Sequence, residues 1–185
     1  MIGFAMCGSY CTHKRALEQM ELLARDYKLQ PIMSENVYST STHFGTCESL
    51  KERVSEICDA PIIHTVVGAE PLGPKTPLDA LVICPCTGNT LAKMAQGITD
   101  TSVTMAAKAH LRSDRPLVIA LASNDALSAN LKNIAAMLSR KCVYFVPMKQ
   151  DDPEGKPHSL VADFSLLLPT LEGAMRGKQY QRIFI

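Results

Sequence analysis

The sequence predicts an α/β fold, a parallel β-sheet with helices on both faces. Three observations carry that expectation. Short apolar runs of strand length alternate with stretches of helical periodicity along the whole chain. Two of those runs break into small polar turns, Cys7-Gly8-Ser9 and Thr87-Gly88-Asn89-Thr90, each followed by a helical pattern. The chain has 185 residues, 46% of them hydrophobic and 20% charged, which suits one domain with a substantial core.

The elements follow in order. Ile2–Met6 is an apolar strand, and Thr12 stands where a cap would open the next helix. In that helix Leu17, Met20, Ala24 and Tyr27 recur at helical spacing. Leu29–Met33 is a second strand, although Pro31 argues against a regular central one. Ser34–Thr46 is a long polar loop at a strand end, and Leu50, Val54 and Ile57 mark a helix after it. Pro61 opens a third strand, Ile62–Val67. The loop Gly68–Pro77 holds Glu70, Lys75 and three prolines, which stiffen it and hold its polar side chains in place.

The fourth strand, Asp79–Cys84, ends at Pro85. The Thr87–Thr90 turn follows, then a helix Leu91–Gln96 that Gly97 stops. A strand running through a polar turn into a helix points free N–H groups at one spot, a ready anion site. Lys93, one turn into the helix, adds to it. Thr101-Ser102 caps another helix, on which Lys108 and Arg112 share a face at i, i+4. That pair is either a solvated basic face or a carboxylate contact. Pro116–Leu121 is the fifth strand and Ala122–Ala126, with Asn124 and Asp125, its turn. Leu127, Leu131, Ile134 and Leu138 form a core-facing helical stripe. Val143–Val146 is the last strand, Met148–Pro157 a charged loop, and Gly177–Ile185 a loose tail. Leu160, Phe164, Leu167, Leu171 and Ala174 mark a C-terminal helix that Pro169 should kink or divide.

Right-handed crossovers restrict the topology. The expected fold is a Rossmann-like three-layer domain over residues 1–185, its six-stranded parallel sheet ordered 3-2-1-4-5-6. That order makes the first and fourth strands neighbours at the switch point, where such sheets bind ligands. The Gly8-Ser9 and Thr87–Thr90 turns end those two strands and converge on one crevice.

Composition excludes some functions. A net charge of +1 gives no broad field for nucleic acid or anionic membrane. No apolar run reaches transmembrane length and no signal peptide is visible, so the expected location is cytoplasmic. The seven cysteines include no C-x-x-C pair, which fits reduced thiols and no metal site. Cys86 lies in the central turn, where it is either reactive or an inert loop residue. The first turn has one glycine where a dinucleotide pyrophosphate needs G-x-G-x-x-G, so a single phosphate suits it better than NAD.

Pro85-Cys86-Thr87-Gly88-Asn89-Thr90, with Lys93, Ala95, Gly97, Ile98 and Asp100, resembles the signature of the FMN-binding flavoproteins related to cysteine decarboxylases. Val67–Leu78, Met105–Leu111, Ser123–Leu127 and Tyr144–Pro153 narrow the resemblance to the B-subunit family of bacterial dipicolinate synthase. The resemblance implies possible FMN binding by Gly8, Ser9, Thr12, Thr87, Gly88, Asn89 and Thr90, with the Ser34–Thr46 loop contributing. Candidates for a dicarboxylate substrate are Glu70, Lys75, Lys93, Asn124 and Asp125. It also implies a homo-oligomer in the mother cell of a sporulating bacterium. The A subunit of such a synthase, itself resembling a dehydrogenase, would be the partner and carry NAD(P). Dipicolinate would form from a dihydro- or hydroxytetrahydro-dipicolinate. The catalytic residues stay unassigned. Decarboxylase relatives carry a histidine before the central strand and a Met-Trp clamp after the fifth. This chain offers Glu70-Pro71 in place of the first, His64 lies well upstream, and it has no tryptophan. An FMN-dependent decarboxylase, a flavin prenyltransferase-like enzyme and a non-catalytic scaffold with a degenerate flavin site are the alternatives.

Overall fold

The structure, a computed structural model, describes residues 1–73 and 75–185. Pro74, one of the prolines of the expected stiff loop, lies outside the described residues. The strands are β1 (Ile2–Met6), β2 (Leu29–Met33), β3 (Ala80–Cys86), β4 (Leu117–Ser123), β5 (Val143–Phe145), β6 (Met148–Lys149) and β7 (Leu160–Ala162). The helices are α1 (His13–Ala24), α2 (Glu35–Ser39), α3 (Cys47–Cys58), α4 (Val66–Ala69), α5 (Gly88–Gln96), α6 (Ser102–Leu111), α7 (Leu131–Leu138) and α8 (Leu167–Met175).

The sheet runs β2-β1-β3-β4, all parallel, and β5 continues it beside the first half of β4. The second half of β4 pairs antiparallel with β7, and β7 with β6. Residue alternation divides the core. Ala5, Leu81, Ile83, Ile119 and Leu121 face α5, α6 and α7, while Phe4, Met6, Val82, Val118 and Ala120 face α1, α3 and α8. Both faces of the central strands are therefore buried, as parallel sheets require.

The switch point lies between β1 and β3, as the expected order placed it. The expected third strand, Ile62–Val67, is reduced to one bridge, Ile32 to Ile63, on the outer edge of β2. Three local interactions explain the loss. Pro61 has no N–H to donate. His64 stacks on Tyr38 with ring centroids 3.6 Å apart. Thr65 turns its hydroxyl to the Gly68 N–H and starts α4. Pro31 is tolerated for the complementary reason: its carbonyl accepts the Ile63 N–H, so its missing N–H would face this thin edge rather than β1.

The C-terminal third also departs from expectation. Leu160 belongs to β7, not to a helix, and Met148 and Lys149 form β6 inside the expected loop. Pro169 lies in the first turn of α8, where a missing N–H leaves no bond unmade, so it bends nothing. The tail is docked. The Gln179 amide donates to the Phe145 carbonyl at 2.7 Å and accepts its N–H at 2.9 Å. Met148 donates to the Ile183 carbonyl, and its own carbonyl accepts from Ile185.

Candidate functional site

At the C-terminal edge of the sheet the chain leaves β1 through Gly8 and Ser9. Ser9 is left-handed, at φ 64° and ψ 48°, and a 3-10 turn over Tyr10–Thr12 leads into α1. This succession curls the backbone into a concavity of N–H groups, an anion-binding shape. Ser9 Oγ donates to the Ala122 carbonyl at 2.9 Å and so ties the turn to the end of β4. Thr12 occupies the N-cap position of α1 but does not cap it. Its hydroxyl donates back to the Ser9 carbonyl at 2.8 Å.

The second wall is the start of α5. The helix begins at Gly88, so Gly88, Asn89 and Thr90 are its first turn rather than a separate turn before Leu91. Thr87 is the N-cap, accepting the Thr90 N–H at 3.2 Å. Thr90 is buried and donates to Cys7 Sγ at 3.3 Å, which links the two turns from behind. Asn89 is exposed toward the opening.

The third wall is the end of β4. Both carboxylate oxygens of Asp125 accept from Asn130 Nδ2 at 2.9 Å, and one also accepts from Ser123 Oγ. The Ser123 hydroxyl, with help from Asn130, holds the Asp125 carboxyl below the ordinary range. An ionised side chain of the protein therefore lies against the first turn of α5. The fourth wall, the segment between β6 and β7, brings Asp151, Lys156 and Ser159. Asp151 pairs with Lys156 at 3.3 Å, and the Ser159 hydroxyl is the main group holding its carboxyl low. Sequence reasoning missed this wall because nothing local marks β6 or β7. The only signal was the charge of the 149–156 run.

These walls enclose a crevice of about 650 Å³, within the size range of small-molecule sites. Ser9, Thr12, Thr87, Gly88, Asn89, Asn124 and Asp125 all line it, with Gly8 and Thr90 directly behind. Glu70, Lys75 and Lys93 do not. Lys93 pairs with Asp100 at 2.9 Å. Glu70 follows α4, and Lys75 lies in the loop entering the opposite end of β3. There Gly73 packs on Ala109 near the end of α6. The Ser34–Thr46 segment carries α2, capped by Ser34. Its remainder lines a second cavity of about 520 Å³ that also includes Tyr10 and shares Cys11 with the crevice.

Of the two sides of the crevice, Gly8–Thr12 carries no carboxylate, so it suits the phosphate of a mononucleotide better than the Asp125 side does. The Asp125 side suits a hydrogen-bond donor instead. Burial pushes the Cys7 thiol up to about 11 and holds Cys86 well above the ordinary thiol value, so Cys86, fully buried, is a protonated thiol and no nucleophile. Among the described residues no three His, Cys, Asp or Glu side chains group as a metal site, and no helix is long and apolar enough to cross a membrane.

Known proteins place this geometry. A family model described as Flavoprotein matches residues 2–162. The B subunit of dipicolinate synthase from Bacillus subtilis (strain 168) is 42% identical over 185 residues, 100% of this chain and 92% of the relative. The crystal structure of the B subunit of dipicolinate synthase from Bacillus halodurans C superposes with a TM-score of 0.92 at 44% identity, covering 100% of this chain and 95% of the other. The FMN-dependent cysteine decarboxylase SpaF shares the fold, with a TM-score of 0.67 at 21% identity over 94% of this chain and 95% of its own. With the turns of β1 and β3 meeting at the switch point and a match along nearly the whole chain, this protein belongs to the flavoprotein family.

Proposed function

We propose that this chain acts as the B subunit of a dipicolinate synthase. The observation that carries the reading is the 42% identity to a protein of that name over the full length. Its partner is the dehydrogenase-like A subunit, which holds NAD(P). Together they oxidise a dihydro- or hydroxytetrahydro-dipicolinate to dipicolinate. The division of labour is supported by the first turn, whose single glycine offers no cradle for a pyrophosphate.

In this reading Gly8, Ser9 and Thr12 hold the phosphate of FMN, and Thr87, Gly88 and Asn89 line the ring side. FMN, when bound, supplies two-electron redox chemistry. Asp125 accepts a hydrogen bond from an N–H or hydroxyl of the substrate and orients it. The assembled form is a homo-oligomer docked with the dehydrogenase-like partner. Decarboxylation has only fold-level likeness behind it. The histidine nearest upstream of β3 in sequence, His64, is engaged in the stack on Tyr38.

The test is dipicolinate absorbance in a mixture of substrate and NADP with this chain by itself, with the dehydrogenase-like partner by itself, and with the two together. Product is expected only from the two together. Full activity from the partner by itself would overturn the reading, as would release of carbon dioxide from a peptidyl-cysteine by this chain. A flavin spectrum that shifts on mixing FMN with the protein is expected, and an unshifted one would remove FMN from the site.

A further inference from the structure

A third cavity lies on the far side of the molecule. It is about 310 Å³ and opens between α5, α6 and α7. Because these helices run back against the parallel strands, their C-terminal ends sit at the opposite edge of the sheet from the crevice. The cavity's accessible apolar surface comes from Ile98 and the half-buried Leu111, and beneath them Met94, Ala107 and Met137, all at least nine-tenths buried, form an apolar floor. Three cations ring it: Lys108 and Arg112 from α6 and its C-cap, and Arg140 from just beyond α7. No carboxylate is among its described lining residues, and none of the three cations forms an ion pair with a described residue.

Basic residues at helix C-termini have a plain structural use, which is to offset the macrodipole. Arg140 serves it: its Nη2 donates to the Ala95 carbonyl in the last turn of α5 at 3.1 Å. That bond also fixes the guanidinium at the rim. It does not account for Arg112 and Lys108 converging with Arg140 over a buried apolar floor. Three like charges around one opening repel each other unless an anion joins them.

We propose that this cleft binds a small carboxylate carried on a single flat ring, with the ring on Ile98 and Leu111 and the carboxylate held by Arg112, Arg140 and Lys108. A guanidinium presents two parallel donors that match a carboxylate. The volume suits one ring, not a nucleotide. The site is independent of the crevice and of the proposed reaction.

The test is calorimetric titration of the full-length protein with benzene-1,3-dicarboxylate, run against equal concentrations of inorganic phosphate. One saturable site is expected for the ring carboxylate. Arg112→Gln should weaken it about tenfold, and Lys108→Gln should weaken it by less. Neither residue's side chain is buried or bonded to the fold, so both variants should unfold at the wild-type temperature, and at equal concentration added ligand should raise that temperature most in the wild type, less in Lys108→Gln and least in Arg112→Gln. Asn89→Asp, in the other crevice, should leave this affinity unchanged. Unaltered binding in Arg112→Gln, loss of binding in Asn89→Asp, or equal binding of phosphate would each overturn the proposal. So would capture of a poly-glutamate peptide with no response to the ring carboxylate, which would make the face a protein-docking surface.

Discussion

Gly88 is pressed against the Asn130 side chain: a Cβ at position 88 would come within 2.6 Å of Asn130 Nδ2. Asn130 is buried and bonded to both Asp125 and Asn133, so it has nowhere to retreat. Gly88→Ala should therefore destabilise the protein by roughly 1–3 kcal/mol through overpacking. The gain from alanine's helix propensity is at most about 1 kcal/mol and is smaller at a first helical position. Urea unfolding measures the difference, and a variant as stable as the parent would contradict the rigid packing described for this wall.

Charge in the crevice should be adjustable in both directions. Asn89→Asp adds a negative charge beside the proposed anion site, and Asp125→Asn removes one. At separations of several ångströms near a surface, each change is worth roughly 0.5–1 kcal/mol. FMN should bind about threefold weaker to the first variant and about threefold tighter to the second, as read by quenching of flavin fluorescence. An aspartate in the first turn of α5 favours the helix, so weaker binding by Asn89→Asp would not reflect unfolding.

Stability should decline on mild acidification. Burial is the leading cause that lowers the pKa of both His13 and His110. Each is neutral in the fold and binds a proton more readily when unfolded. Their stabilisation is thus complete above the unfolded value of about 6.5 and is lost as pH falls through the lower folded values. His110 Nε2 faces the Pro116 carbonyl at 2.9 Å, while its Nδ1 has no partner. His110→Gln keeps a donor for Pro116 and removes the titration. Its urea midpoint should drop less than that of the parent between pH 7.5 and pH 5.5.

Gln179→Ala should cost about 1–2 kcal/mol, because one side chain satisfies both the N–H and the carbonyl of Phe145 at the outer edge of β5. Thermal unfolding would show the loss. An unchanged midpoint would mean that the tail is dispensable.

The parts of the molecule written in local pattern were legible. Thr87 and Thr101 cap where polar residues precede helical stripes. The Gly8-Ser9 and Thr87–Thr90 turns meet because they end strands that are neighbours in the sheet, β1 and β3. What escaped depended on distant partners. Leu160 has the spacing of a helix face, yet its strand exists because the end of β4 offers an open edge. Ile62–Val67 has the composition of a strand, but Thr65 found a helix to cap. Lys93 stood next to the motif in sequence, but Asp100 holds it elsewhere. Asp125 was a candidate substrate contact and lines the crevice, while its anchoring by Asn130 against a helix start comes from packing that no local pattern marks.

The docking of residues 183–185 along β6 has a consequence for how copies of this protein meet. An uncovered strand invites a second chain to continue the sheet, the usual route to runaway fibrous growth. Here the Met148 N–H and carbonyl are already engaged by Ile183 and Ile185. A neighbouring copy finds no backbone template at that position, and an association there rests on side chains instead. Contacts of that kind can close into a ring of fixed size.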